Sequence, residues 1–219
     1  MIYTIKNISF PSNTYILSED RDKSCIIIDP GIDYHLTENI IFQNALNPLA
    51  IICTHGHFDH IANVSFFKDR YQIPFYIHHN DIKTVNRANF FLNFLKINFL
   101  IKTPVPDFIL KEKNNILNIG LFKFEIKNLP GHSPGSCIIK WGNNLFTGDI
   151  IYKKGLGLNS FPDENKIFLK ESINEILESY HHENMVYPGH GEYDTLDAIK
   201  KNNKELIYFL QSENNIYGK

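Results

Sequence analysis

The stretch from Thr54 to His60, Thr-His-Gly-His-Phe-Asp-His, constrains this chain more than any other. It follows an apolar run, Leu49-Ala50-Ile51-Ile52-Cys53, with the length and composition of a buried strand. Such a strand delivers His55 and His57 to its carboxyl end and feeds Asp59 and His60 into the first turn of the next helix. Neutral imidazole and carboxylate are the donors that first-row divalent metals take when no thiolate is offered. The spacing lets His55 and His57 pinch one ion from the loop while Asp59 and His60 diverge toward a second. A hydrogen-bonded polar loop accounts for a lone histidine; ligand-type residues at this density, directly after a strand, point to metal.

At 219 residues, 43% of them hydrophobic, the chain is long enough for one large α/β domain with a substantial core. A formal net charge of −2 offers no field to steer nucleic acid or an acidic membrane, so the expected partner is a small-molecule substrate. Cys25, Cys53 and Cys137 sit in apolar runs and read as buried thiols of a reducing compartment. The N-terminus lacks the layout of a signal peptide and no apolar run approaches a membrane span, which makes the cytoplasm the expected location.

Periodicity predicts strands over Tyr3–Ile8, Asn13–Ser18 and Cys25–Asp29, then a helix from Tyr34 to Asn47 ahead of Pro48. After the histidine-rich loop it predicts one helix from Asp59 to Tyr71, a strand Phe75–His78, and strands between Asn115 and Leu129. A hairpin over Ser136–Trp141 and Leu145–Thr147 follows, closed by Gly142-Asn143-Asn144. Lys153–Pro162 reads as a loop, Asn165–Tyr180 as a helix, Met185–Tyr187 as a strand and Thr195–Gln211 as the last helix. Between Asp81 and Lys102, the residues Phe90, Phe91, Phe94, Leu95, Phe99 and Leu100 make a broad apolar face. That face is core, a lid over the site, or an oligomer contact. His78 and His79 read as structural or surface residues.

Three further motifs follow in order: Gly131-His132-Ser133-Pro134-Gly135-Ser136, Thr147-Gly148-Asp149 and Pro188-Gly189-His190-Gly191. Together with His-x-His-x-Asp-His they resemble the metallo-β-lactamase superfamily over nearly the whole chain, and the form of the His132 loop is most similar to its glyoxalase II and persulfide dioxygenase branches. The resemblance implies an α/β fold, the four-layer αββα sandwich, with residues 1–219 as one domain of that type. It implies that His55, His57 and His132 hold a first metal, that Asp59, His60 and His190 hold a second, and that Asp149 bridges them. The implied cofactors are two divalent ions, zinc in the first place, with iron or manganese also suited to these donors. Water activated between the ions would attack an acyl carbonyl, with Asp59 and Asp149 as the catalytic carboxylates. Asp29 resembles the group that stands behind the metal loop; a plain turn former at a strand end reads equally well.

Two chemistries of sulfur-linked substrates are implied. One is thioester hydrolysis of the glyoxalase II type, on S-lactoylglutathione or a related acyl-thiol. The other is persulfide dioxygenation at one iron held by His55, His132 and Asp149. Lactone hydrolysis is possible on the same fold, and the complete ligand set argues against a metal-binding protein without turnover. Asp149 in the bridging position, with His57 and His60 present, argues against zinc β-lactamases with a cysteine ligand and against the flavodiiron branch. The chain also departs from both sulfur branches. Gly155-Leu156-Gly157-Leu158-Asn159-Ser160 replaces the usual Gly-x-Gly-Arg, and the helical domain that grips glutathione has no counterpart after His190. A shorter glyoxalase II-like hydrolase fits better than a glutathione-specific one.

Overall fold

The computed structural model describes residues 1–158 and 161–212. Its first sheet runs in the order β1 (Ile2–Lys6), β2 (Asn13–Ser18), β3 (Ser24–Ile28), β4 (Asn47–Ile52), β5 (Phe75–His78) and β6 (Phe108–Leu110). The strands from β3 to β6 are parallel. The second sheet begins with the antiparallel run β7 (Asn114–Ile119), β8 (Phe122–Asn128), β9 (Cys137–Trp141) and β10 (Asn144–Gly148). It continues with β11 (Met185–Pro188), parallel to β10, and ends on β12 (Asp194–Thr195).

Strand alternation divides the apolar residues among three cores, because successive side chains point to opposite faces. Tyr15, Leu17, Ile26, Ile28 and Ile52 meet Phe124, Ile139 and Phe146 between the sheets. Their neighbours Ile16, Ile27 and Ile51 face the other way, onto α1 (Tyr34–Gln43), α2 (Phe58–Ile61), α3 (Val64–Tyr71), α4 (Ile82–Asn86) and α5 (Ala88–Phe94). On the far side Ile138, Leu145 and Val186 pack against α6 (Lys166–Ser179), α7 (Leu196–Asn202) and α8 (Lys204–Gln211). The layers are therefore helix, sheet, sheet, helix, and strands covered on both faces read as unbroken apolar runs. Among the described residues no helix is long and apolar enough to cross a membrane.

The expected elements recur with several differences, each with a local cause. The first helix stops at Gln43, and Ala45, with φ of +51°, turns the chain into a β4 that starts at Asn47. The helix expected from Asp59 to Tyr71 is two helices. The Asn63 N–H donates to the Pro30 carbonyl at 3.1 Å instead of continuing the helical ladder, while the Asp59 carbonyl accepts from the Ser12 hydroxyl at 2.9 Å. The last helix breaks at Asn203, whose Oδ1 caps α8 by accepting the Leu206 N–H at 3.0 Å. Its Nδ2 donates to the carbonyls of Tyr152 and Gly155, so the break also ties down the loop beyond β10. The short strands β6 and β12 and the 3-10 turn His79–Asp81 gave no periodic signal. Asn159 and Ser160 of the expected loop, and the last seven residues of the expected domain, lie outside the described residues.

Candidate metal centre

Chain segments leaving the carboxyl ends of β4, β8, β10 and β11 meet at one edge of the two sheets, where they bring together all seven predicted ligand residues. The two halves are stitched there by Asn13 of β2. Its N–H donates to the Gly189 carbonyl at 2.7 Å, and its side chain donates to the carbonyls of Pro188 and Gly191 at 2.9 Å. Gly189 is needed at this seam, since a Cβ would lie 2.0 Å from Asp149 Oδ1 and 2.7 Å from the His60 ring.

His55, His57 and His132 form the first cluster, all buried, with one nitrogen from each within 4.8 Å of the others. His132 donates Nδ1–H to the Gly157 carbonyl at 2.8 Å, which leaves the lone pair of Nε2 to face His57 Nδ1 at 2.8 Å. A backbone carbonyl of the Gly155–Leu158 stretch thus orients the His132 ring, with no arginine in the loop. His55 Nδ1 meets the Thr54 hydroxyl at 3.1 Å, and its buried Nε2 has no hydrogen-bond partner.

Asp59, His60 and His190 form the second cluster. Asp59 Oδ2 lies 3.4 Å from His60 Nε2 and 3.3 Å from His190 Nε2. His190 Nδ1 bonds the Pro11 carbonyl. Asp149 stands between the clusters, with Oδ2 3.4 Å from His132 and 3.3 Å from His190, and Oδ1 3.5 Å from His60. That Oδ1 is also buried without a hydrogen bond. Buried polar atoms are nearly always paired. An unpaired imidazole nitrogen and an unpaired carboxylate oxygen, aimed into a nest of lone pairs, are what ion ligands look like, so the residues present fit divalent metal.

Behind this layer stand two buried aspartates. Asp29, with φ of +50°, accepts the Thr54 N–H at 2.7 Å, the Thr54 hydroxyl at 2.6 Å and His60 Nδ1–H at 3.1 Å. Asp29 is therefore more than a plain turn former, because besides turning the chain it fixes the ring of His60, a predicted ligand. Asp81 was not anticipated from the sequence. It accepts the Gly56 N–H at 2.7 Å, the Ser133 hydroxyl at 2.8 Å and the Gly135 N–H at 2.6 Å, joining the two loops that carry the first cluster. Ser133 and Ser136 serve this loop architecture. His78 and His79 belong to no ligand cluster among the described residues. His78 ends β5 and caps the 3-10 turn that presents Asp81. Tyr152 was likewise missed. It lines the cavity over the site, and burial, then the Asp149 carboxylate, hold its hydroxyl well above the usual range, so it stays protonated.

The cluster polarises its own titration. Burial, then the facing His132, press His57 down to about 3. Burial also opposes charge on His60 and His190, but the Asp59 and Asp149 carboxylates outweigh it and raise them to about 9 and about 11. Burial works against ionised Asp59 and Asp149 as well, and the surrounding imidazoles still bring both below the ordinary carboxylate value.

The sequence profile of the metallo-beta-lactamase superfamily matches residues 8–206. The chain is 32% identical over 194 residues to the probable metallo-hydrolase YqgX of Bacillus subtilis, covering 87% of this chain and 90% of that one. It is 29% identical over 209 residues to the hydroxyacylglutathione hydrolase GloC of Haemophilus influenzae, covering 90% and 94%. Among solved structures, the BLEG-1 B3 metallo-beta-lactamase superposes with a TM-score of 0.83 at 31% identity over 94% of this chain and 99% of that one. TTHA1623 in a di-iron-bound form gives 0.81 at 27% identity, over 92% and 98%.

Four outcomes are expected from this geometry. Asp29→Ala frees the His60 ring and lowers metal affinity by about 10- to 100-fold, read by competition with a chromophoric chelator. Asp81→Ala leaves buried donors in both loops unpaired and lowers unfolding free energy by about 3 kcal/mol, read by urea denaturation of the metal-free protein. Metal must displace the protons on His60 and His190, so affinity rises with pH and binding releases protons, measurable by calorimetry in buffers of different ionisation enthalpy. For the metal-free chain the sign reverses. Folded values above the ordinary 6.5 stabilise fully below about pH 6.5, and that stabilisation is lost as pH climbs through about 9 and about 11.

Proposed function

The chain belongs to the metallo-beta-lactamase superfamily, and we propose that within it this protein is a metal-dependent thioester hydrolase, related in chemistry to the hydroxyacylglutathione hydrolases. The observation that carries this reading is the placement of Asp149 between two ligand clusters, under a cavity that reaches His57, Asp59, Asp149 and His190. In this reading His55, His57 and His132 would hold one ion and Asp59, His60 and His190 the other, with Asp149 available to both; zinc is the metal we expect. Bound divalent ions supply an activated water and polarise the acyl carbonyl.

The rest is the work of the chain's own residues. Asp29 holds His60, and the Gly157 carbonyl holds His132, each by the ring nitrogen turned away from the site. Asp59 reaches the cavity floor beside His190, where its carboxylate can orient the attacking water or take its proton. The protonated Tyr152 hydroxyl supplies a hydrogen-bond donor at the same floor. The cysteine thiols and the Ser133 hydroxyl are poorly placed to compete with water as nucleophile. The three cysteines are buried with thiols raised above their usual range by desolvation, and the Ser133 hydroxyl donates to Asp81. Buried free thiols also suit the reducing cytoplasm.

A single-iron dioxygenase would use His55, His132 and Asp149 with Asp59, His60 and His190 only surrounding them, whereas the convergence of those three donors favours a second ion. The di-iron form of TTHA1623 shows that a relative with this fold accepts two irons, so metal identity and reaction are separate questions.

The test is elemental analysis of protein expressed with zinc and iron available, paired with a panel of thioesters, esters and lactones. About two ions per chain and thioester turnover are expected. One iron per chain, with oxygen uptake on a persulfide, would overturn the reading. Asp149→Ala is expected to lose metal and activity together, whereas His78→Ala keeps its metal. Full metal occupancy in Asp149→Ala would remove Asp149 from its place between the ions.

A further inference from the structure

The cavity above the ligands has a volume of about 950 Å³. That is at the upper end of pockets that enclose whole drug-sized ligands, and far more than a lactoyl group fills. Among the described residues its polar lining is Thr84, Tyr152 and the metal-site residues at the floor. The remaining wall is aromatic and aliphatic, and it starts at a ligand. The His57 ring lies 5.4 Å from Phe161, Phe161 lies 5.7 Å from Phe91, and Phe91 lies 5.8 Å from Phe90, centroid to centroid.

The segment rich in phenylalanine divides its residues between two tasks. Phe91 and Leu92 anchor α5 in the core at 7% and 0% exposure, while Phe90 and Phe94 stand 65% and 72% exposed on the cavity. Large apolar side chains held open to water around a concave site mark a ligand groove. Charge is equally informative. Among the described residues lining the cavity there is no lysine or arginine. Nearby Arg87 is 4.0 Å from Asp163, whose carboxylate also accepts from Thr84. Glutathione carries two carboxylates, and this wall offers neither of them a cation.

We propose that the acyl group this site takes is apolar and uncharged, of medium chain length or longer, and that it lies along the Phe161–Phe91–Phe90 wall with its carbonyl over Asp59 and Asp149. The substrate class is then an apolar acyl thioester, and the thiol part need not be glutathione. This rests on the hydrolase reading above and narrows it.

The experiment pairs turnover with binding on the full metal-loaded chain. N-acetylcysteamine thioesters from acetyl to decanoyl, with S-lactoylglutathione alongside, give kcat/KM against acyl length. Straight-chain carboxylates from acetate to decanoate give affinity by calorimetry without any reaction. Both series are expected to rise by roughly fourfold per added methylene, the ratio that corresponds to about 0.8 kcal/mol per buried CH2. S-lactoylglutathione is expected to trail the decanoyl thioester. Phe90→Ser and Phe94→Ser are expected to lower the ratio of decanoyl to acetyl kcat/KM by about tenfold each; being a ratio, it is insensitive to partial loss of folded enzyme. Thioester turnover that stays flat or falls with acyl length overturns the proposal and leaves the hydrolase reading intact. Carboxylates that bind more tightly with length, while no acyl compound is hydrolysed, support the apolar preference and overturn the hydrolase reading instead.

Discussion

Everything at the functional edge depends on two carboxylates that no solvent reaches. Asp29 and Asp81 are 1% and 0% exposed, and each is satisfied by three hydrogen bonds. A buried acceptor of this kind is tolerated only if its partners stay in place, so it transmits order to whatever supplies the donors. Asp29 takes its donors from Thr54 and His60, at the two ends of the histidine-rich loop. Asp81 takes them from Gly56, inside that loop, and from Ser133 and Gly135, which follow His132. The loop is thus held at its start, middle and end, and the His132 loop is fastened to it. Gly135 belongs to the same device, since a Cβ there would lie 2.6 Å from the Asp81 carboxyl carbon.

That rigidity is needed because the ligands do not stabilise one another. The rings of His55, His57 and His132 pack edge to face with centroids 4.5 to 4.8 Å apart, and Asp59 and Asp149 add buried negative charge beside them. With protons alone the cluster must keep His57 neutral while His60 and His190 stay charged, an uneven solution to a crowded site. Cations between the clusters would relieve both strains together, by giving the lone pairs a partner and the carboxylates a counter-charge. Folding forces hold these groups against their preference, which leaves them arranged as a site that could take metal.

The sequence carried the ligands openly because metal chemistry restricts residue type and spacing together. No common loop needs His-x-His-x-Asp-His after an apolar strand, so the residues announced both the strand and the site. The four-layer arrangement was legible through the wider motif pattern. What stayed hidden was held by tertiary bonds between residues of ordinary type. Asp81 comes after His78, His79 and Asn80 and looks like a helix-starting aspartate; only the approach of the 54–57 and 132–135 loops gives it three donors. The breaks at Asn63 and Asn203 lay hidden for a similar reason. Each asparagine satisfies distant carbonyls, Gly31 and Ile32 in one case and Tyr152 and Gly155 in the other, and periodicity sees neither. Tyr152 had no motif around it at all.

The same distinction separates the reaction from its substrate. The ligands and the groups behind them sit on strand ends and tight loops, crossed by bonds from both sheets, where a changed residue disturbs several partners at once. The cavity wall comes from α5, from the loop carrying Phe161, and from Phe10 packed on Phe58 at 4.9 Å. These side chains meet through dispersion and apolar contact, which constrain size more than identity. A fold built this way can keep one hydrolytic centre while its wall is rewritten for a different acyl group. The wall of this chain, aromatic and, among its described residues, without lysine or arginine, is therefore the part that bears on substrate, and under the proposal above it favours a chain of methylenes over a charged peptide.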